Sequence, residues 1–292
     1  TTKTDDETCQ LVSTDAGSAE THPHAAYQFN NNYFNAANNG GEIDGLSHSE
    51  LAGIRFYEVI PNIGTNPDFK NSIGNKIKFI ADVPLLADNS FKVQLPCNTP
   101  YLMAGIDKQN RIIKRDQIPQ SLRTGEKRVC GGCHLHSKAG RTYEQSMAFN
   151  APPFKALSST PVPTYEADIK PILEKRCTSC HATDLPLFDY NHLVTDYLQL
   201  HVPVDKKLQV MDNPSNENRK YGLARPQWSK YVHTMYARES LLYWKAGNNR
   251  ADGRSDATYP NDIDFGAGHP TDVTPDELRK IAEWLDSGAN RN

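Results

Sequence analysis

Cys130-Gly131-Gly132-Cys133-His134 and Cys177-Thr178-Ser179-Cys180-His181 are two copies of one pattern, Cys-x-x-Cys-His. With six cysteines and ten histidines in 292 residues, two chance copies are not credible. The pattern is the attachment signature of c-type haem. Two thiols add to the two vinyl groups of one porphyrin, and the next residue supplies the imidazole that binds the iron from below. Placed at the start of a helix, each motif predicts one haem. The first is held by Cys130, Cys133 and His134, the second by Cys177, Cys180 and His181. The rival readings are weaker. A structural zinc site needs no His directly after both Cys pairs, and a thioredoxin-type redox pair occurs once, in a βαβ setting. Two covalently attached haem c groups are the expected cofactors.

The motifs also set an expected compartment. Haem is joined to thiols outside the cytoplasmic membrane in bacteria, so the chain reads as periplasmic or extracellular. It starts at Thr1 without a signal-peptide pattern and reads as a mature form with that peptide removed. Cys9 and Cys97 are left over as an even pair. An oxidising compartment would join them, a bond contributing about 2–5 kcal/mol; two buried free thiols are the alternative. Hydrophobic residues make up 37% of the chain, and the mean hydropathy is −0.66. No apolar run approaches the roughly 18 residues of a membrane span, so no transmembrane segment is expected. Net charge is −3 with both signs interspersed, which leaves no basic footprint for nucleic acid.

Outward from the first motif, strand signals run from Leu51 to Ile113. Ile54–Ile60, Lys76–Ala81, Phe91–Leu95, Tyr101–Ile106 and Arg111–Lys114 are short, partly alternating and broken by Pro, Gly and Asn. Asp107-Lys108-Gln109-Asn110 predicts a hairpin turn. Residues 1–40 lack periodicity. Ala151 to Pro163 is rich in Pro and Ser and predicts a linker. Beyond it, Glu166–Arg176 predicts a helix running into the second motif. Thr274-Pro275-Asp276-Glu277 is a capping box with Pro at the first helical position. The helix after it puts Leu278, Ile281, Ala282 and Leu285 on one face and stops at Gly288. The expected fold is therefore α+β. A β-sandwich-like domain with the first haem (1–150) is followed by a linker (151–164) and a mainly α-helical cytochrome c-like domain with the second (165–292). Only 135–176 separates the motifs, so the first haem must borrow its packing from the β half.

A low-spin electron-transfer haem takes a sixth ligand, usually His or Met, whereas an open position suggests chemistry on a small molecule. For the second haem, His269 in Phe265-Gly-Ala-Gly-His-Pro270 is favoured, because glycines let a loop approach closely. His233 and Met235 are the runners-up, while His192 and His201 read as surface or satisfied polar residues. For the first haem, His22, His24 and His48 are candidates; His136 is too near His134 to reach the same iron. Lys127-Arg128 and Lys175-Arg176 precede the motifs in parallel and suggest partners for haem propionates, exposed helix residues being the alternative. Asp252, Asp256, Asp262 and Asp264 crowd near Gly253 and suggest calcium, though not at EF-hand spacing.

The run Phe91–Pro100, then Ile106–Arg111, Gly125-Glu126 and Cys130-Gly-Gly-Cys-His-Leu-His136-Ser137 resembles the haem-bearing β-domain of the hydrazine synthase α-chain family. Asp168–His181, His269-Pro270 and Trp284-Leu-Asp-Ser-Gly-Ala289 are similar to the C-terminal cytochrome c domain of the same group. The resemblance covers roughly residues 80–292 and implies a bis-histidine second haem with its distal ligand at His269. The family's large β-propeller has no counterpart here. Its catalytic first haem carries a Tyr close after the motif, and its motif His binds zinc. The nearest Tyr here is Tyr143, further along, so neither feature carries over and hydrazine synthesis is not implied. The function expected is a dihaem cytochrome passing electrons between redox protein partners. The alternatives are an oxidoreductase with an open first haem, or a homo-oligomeric or larger multihaem assembly.

Overall fold

The computed structural model describes residues 2–3, 8–17, 42–43, 46–47, 50–60, 76–116, 119–132, 140–181, 189–195, 231–232, 236–253, 255–257 and 265–292. The chain divides into two compact units. One holds Thr1–Ile60 and Ile77–Pro161, the other Pro61–Lys76 and Val162–Asn292.

The first unit is built of β1 (Thr2–Lys3), β2 (Cys9–Ser13), β3 (Glu42–Ile43), β4 (Leu46–Ser47), β5 (Gly53–Ile60), β6 (Lys76–Pro84), β7 (Phe91–Leu95), β8 (Tyr101–Ile106), β9 (Ile112–Arg115), β10 (Glu126–Cys130), β11 (Phe154–Lys155) and β12 (Thr160–Pro161). One five-stranded sheet has the order β1-β10-β2-β7-β11, another β12-β6-β5-β8-β9, and β3 pairs with β4. Alternation decides which face each strand buries. In β7, Phe91, Val93 and Leu95 are buried and Lys92 and Gln94 between them are only half-buried. Cys9 and Leu11 of β2 and these three share a core with Ile54, Phe56, Val83 and Tyr101 of the other sheet. Phe56 crosses between sheets to meet Phe91 edge-on, ring centroids 6.1 Å apart. Such a pair adds about 0.5–1.5 kcal/mol to its area burial.

Two local devices fix the registers. The 107–110 turn forms: the Asp107 carboxylate accepts from the backbone N–H groups of Gln109 and Arg111, both at 2.9 Å, and Asn110 takes the left-handed conformation at φ 58°. Cys9 opposes Leu95, which brings it beside Cys97, and the two are disulfide-bonded with Cα atoms 5.3 Å apart. β10 joins β2 in parallel, from Lys127↔Gln10 to Cys130↔Ser13. Cys130 is thus the last residue of a strand.

The second unit holds α1 (Lys170–His181), α2 (Tyr190–Thr195), α3 (Leu241–Ala246) and α4 (Pro275–Asp286). One π-helical turn, Tyr165–Ile169, leads into α1. Thr274 caps α4 reciprocally with Glu277, and Pro275 opens it. Ile281, Ala282, Trp284 and Leu285 are buried, and the chain turns off at Gly288 with φ 109°. Trp284 packs on Tyr165 at 5.9 Å between centroids, so the last helix lies against the segment that starts α1. No helix among the described residues is long and apolar enough to cross a membrane.

Two expectations are corrected. The molecule is mostly β-sheet with few helices, and its second half is not a mainly α-helical cytochrome c-like domain. Two of the four helices among the described residues span six residues each. The helix signals at 166–176 and 274–288 are real, and the helices described between them are these two short ones. Gly247, Asn248, Gly253, Gly266 and Pro270 punctuate that stretch, with Asn248, Gly253 and Gly266 at positive φ. Nor does the second motif start a helix. Cys177, Cys180 and His181 lie in the last turns of α1.

Candidate functional site

In the last turns of α1, Cys177 and His181 are four residues apart and Cys180 three from Cys177, a spacing that puts them on one face. Both cysteines are free thiols; Cys177 is half-buried and Cys180 exposed. Burial pushes the Cys177 thiol up. Facing this turn is His269. Its Nε2 lies 3.4 Å from Nε2 of His181. The rings are parallel within 9° and their centroids are 5.7 Å apart. The centroid distance exceeds the nitrogen distance by about one ring radius at each end, so the nitrogens point at each other along the line joining the rings.

The second nitrogen of His269 explains the orientation. Nδ1 lies 2.9 Å from the Lys245 carbonyl oxygen. A carbonyl only accepts, so the neutral imidazole carries its proton on Nδ1 and presents the Nε2 lone pair to His181. The backbone N–H of His269 donates to Asn248 Oδ1 at 2.6 Å. A ring whose outer N–H is anchored on backbone is the usual support of a metal-bound histidine. A metal–imidazole bond runs about 2 Å, so a single iron on this line asks the two rings to part only slightly. The donor set therefore fits a haem held by Cys177, Cys180, His181 and His269.

Ion pairs hold the two sides of the site together. Arg176 donates to Glu277 at 2.9 Å and to Asp272 at 2.8 Å. The Arg176 hydrogen bonds, and then the Thr274 N–H of the capping box, hold the Glu277 carboxyl down to about 2. Arg176 is thus engaged by carboxylates, not left for propionates. The same correction applies to Arg128, which pairs with Glu126 at 2.8 Å.

At the first motif the structure describes Cys130, Gly131 and Gly132. Cys133, His134 and His136 lie outside the described residues, as do His22, His24, His48, His201, His233, Met235, Asp262, Asp264 and the side chain of His192. Cys130 is half-buried, and burial raises its thiol. Its carbonyl accepts from Thr14 N–H at 2.9 Å. The chain returns at Gly140 so closely that a Cβ there would sit 2.7 Å from Gly131 Cα. Nearby, Lys127 Nζ is 3.9 Å from the centre of the Tyr143 ring and Lys92 Nζ 5.6 Å. Burial acts to raise that phenol, but hydrogen bonding to the two lysines outweighs it and the net shift is downward.

The calcium expectation is also corrected for the two aspartates described. Arg250 forks onto Asp252 at 2.8 and 2.9 Å and reaches Asp256 at 2.8 Å, so one guanidinium already engages both carboxylates. Asn248 and the Lys245 carbonyl, which set His269, escaped sequence reasoning. The Gly247-Asn248-Asn249 turn was a readable signal for the first; a backbone carbonyl has none.

Comparison with known proteins points to one group. A family model described as the hydrazine synthase alpha subunit middle domain matches residues 25–135, through the first motif. A solved structure titled Kuenenia stuttgartiensis Hydrazine Synthase shares the fold, with a TM-score of 0.61 at 16% identity. The match covers 98% of this chain and 43% of that one, so this chain spans less than half the length of that relative. No curated protein matches the chain.

Proposed function

We propose that the chain is a dihaem c-type cytochrome that passes electrons between redox partners outside the cytoplasmic membrane. The observation that carries this reading is the head-on approach of His181 and His269 beside two free thiols. A haem there supplies one-electron transfer at its iron. The chain's own residues do the rest. Cys177 and Cys180 tether the porphyrin, His181 and His269 fill both axial positions, and the Lys245 carbonyl orients His269. Two imidazoles leave no position for a substrate, which favours electron transfer over chemistry at this site. Cys130, Cys133 and His134 would hold the other haem. The Cys9–Cys97 bond supports an oxidising compartment.

A second reading attaches to the first motif alone. The hydrazine synthase likeness favours an oxidoreductase whose first haem is open to a small molecule. The oxidised spectrum separates the two. Two low-spin haems are expected for electron transfer, whereas a high-spin component that binds cyanide in the unmodified protein overturns it. His269→Ala should convert one haem to high spin; an unchanged spectrum removes His269 from the site.

A further inference from the structure

In the loop that carries His269, Phe265–Pro270, only Phe265 packs against the core. Gly266, Ala267 and Gly268 are exposed. A Cβ on Gly266, whose φ is 71°, would meet nothing within 4 Å. What places this loop is polar. Asp256 Oδ1 accepts from Phe265 N–H at 2.9 Å and Oδ2 from Gly266 N–H at 2.8 Å. Both carboxylate oxygens are thus committed to the backbone just before His269. Asp256 is itself held by Arg250, whose side chain is only 6% exposed and is forked onto buried Asp252. The Arg250 guanidinium lies 4.6 Å from the Trp244 ring centre. Trp244 is buried and donates its indole N–H to the Arg238 carbonyl at 2.6 Å.

We infer that Asp256, locked by Arg250, is a positioning residue that holds His269 in place as an axial ligand. The contacts form a continuous path: Trp244 in the core, Arg250, Asp256, the Phe265–Gly266 backbone, then His269 three residues on. Lys245 and Asn248 fix the far end of the same loop through His269 itself. With Asp256 gone, the near end of the loop loses its two anchoring hydrogen bonds, and His269 leaves the iron more often. The aspartate-rich segment is then a loop clamp and not a cation site. The inference rests on the bis-histidine reading proposed above.

The test uses the full chain with its haems attached and cyanide as the probe. The rate at which cyanide replaces His269 on the ferric protein is compared in the unmodified chain, Asp256→Ala, Gly266→Ala and His269→Ala, with melting temperature and reduction potential recorded alongside. Asp256→Ala is expected to speed replacement about tenfold or more, the weight of a charge-assisted hydrogen bond. Gly266→Ala strains the backbone without a steric clash, so it should speed replacement in the same direction even if Asp256→Ala fails to fold. A lowered melting temperature with an unchanged cyanide rate and potential in both variants overturns the inference while leaving the bis-histidine reading intact. A spectrum that His269→Ala leaves unchanged overturns both.

Discussion

The two Cys-x-x-Cys-His segments share five-residue chemistry and almost nothing of their surroundings. Cys130 closes a strand that runs parallel to β2, in a sheet unit where Cys9–Cys97 ties β2 to the turn after β7. Cys177, Cys180 and His181 lie at the end of a helix, in a unit where the Arg176–Glu277 ion pair joins α1 to α4. The second segment brings its partner with it: His269 stands 3.4 Å from His181, on a loop stitched to the end of α3. The first segment is instead pinched, with Gly131 and Gly140 backbone to backbone. The pattern specifies covalent chemistry and leaves the scaffold free, so asymmetry between the sites comes from what each unit sets around the motif.

That contrast is open to attack from either side. The largest effect should come from removing the cross-link. Cys9→Ala with Cys97→Ala is expected to destabilise the sheet unit by about 2–5 kcal/mol. Hydrogen exchange should show β2 and β7 amides losing protection while α1 amides keep theirs; equal loss in both breaks the division of labour. Next is Gly140→Ala, which drives a methyl into Gly131 Cα and should cost about 1–3 kcal/mol of strain. The first site should then incorporate less haem, by mass, and the second the same amount as before. The smallest effect is expected from Glu277→Gln, about 1 kcal/mol for a cap and a half-buried ion pair together. Its pH dependence sharpens the comparison. Glu277 titrates near 2 when folded against an ordinary 4.5. Its contribution to the helical unit is therefore complete above 4.5 and fades as pH falls toward 2. The Gln variant should lack that acid-side slope in thermal melts.

Much of the site is legible in the residues themselves. The cysteine motifs, the leftover pair Cys9 and Cys97, and the glycine-flanked His269 all announce themselves by spacing. So do the Asp107–Asn110 turn and the Thr274 capping box, because each is a local bargain between neighbours. The helix content of the second half is not. The signals at its two ends are strong, and among the residues described between them only Gly, Asn and Pro at 247–270 hint that the helices there are short. The role of Asp256 is illegible for a different reason. Four aspartates near a glycine look the same whether a cation or an arginine faces them, and Arg250 acquires its meaning only when Trp244 and the Phe265 backbone are brought beside it.

The cross-link in the sheet unit has one more consequence, in electron counting. A disulfide opens by a two-electron step in which a thiolate attacks one sulfur. Haems deliver electrons singly, and Cys9 is fully buried, so a thiolate can reach the bond only at the half-buried Cys97. The electron transfer proposed above moves electrons singly and supplies no such thiolate, so the bond would persist under it.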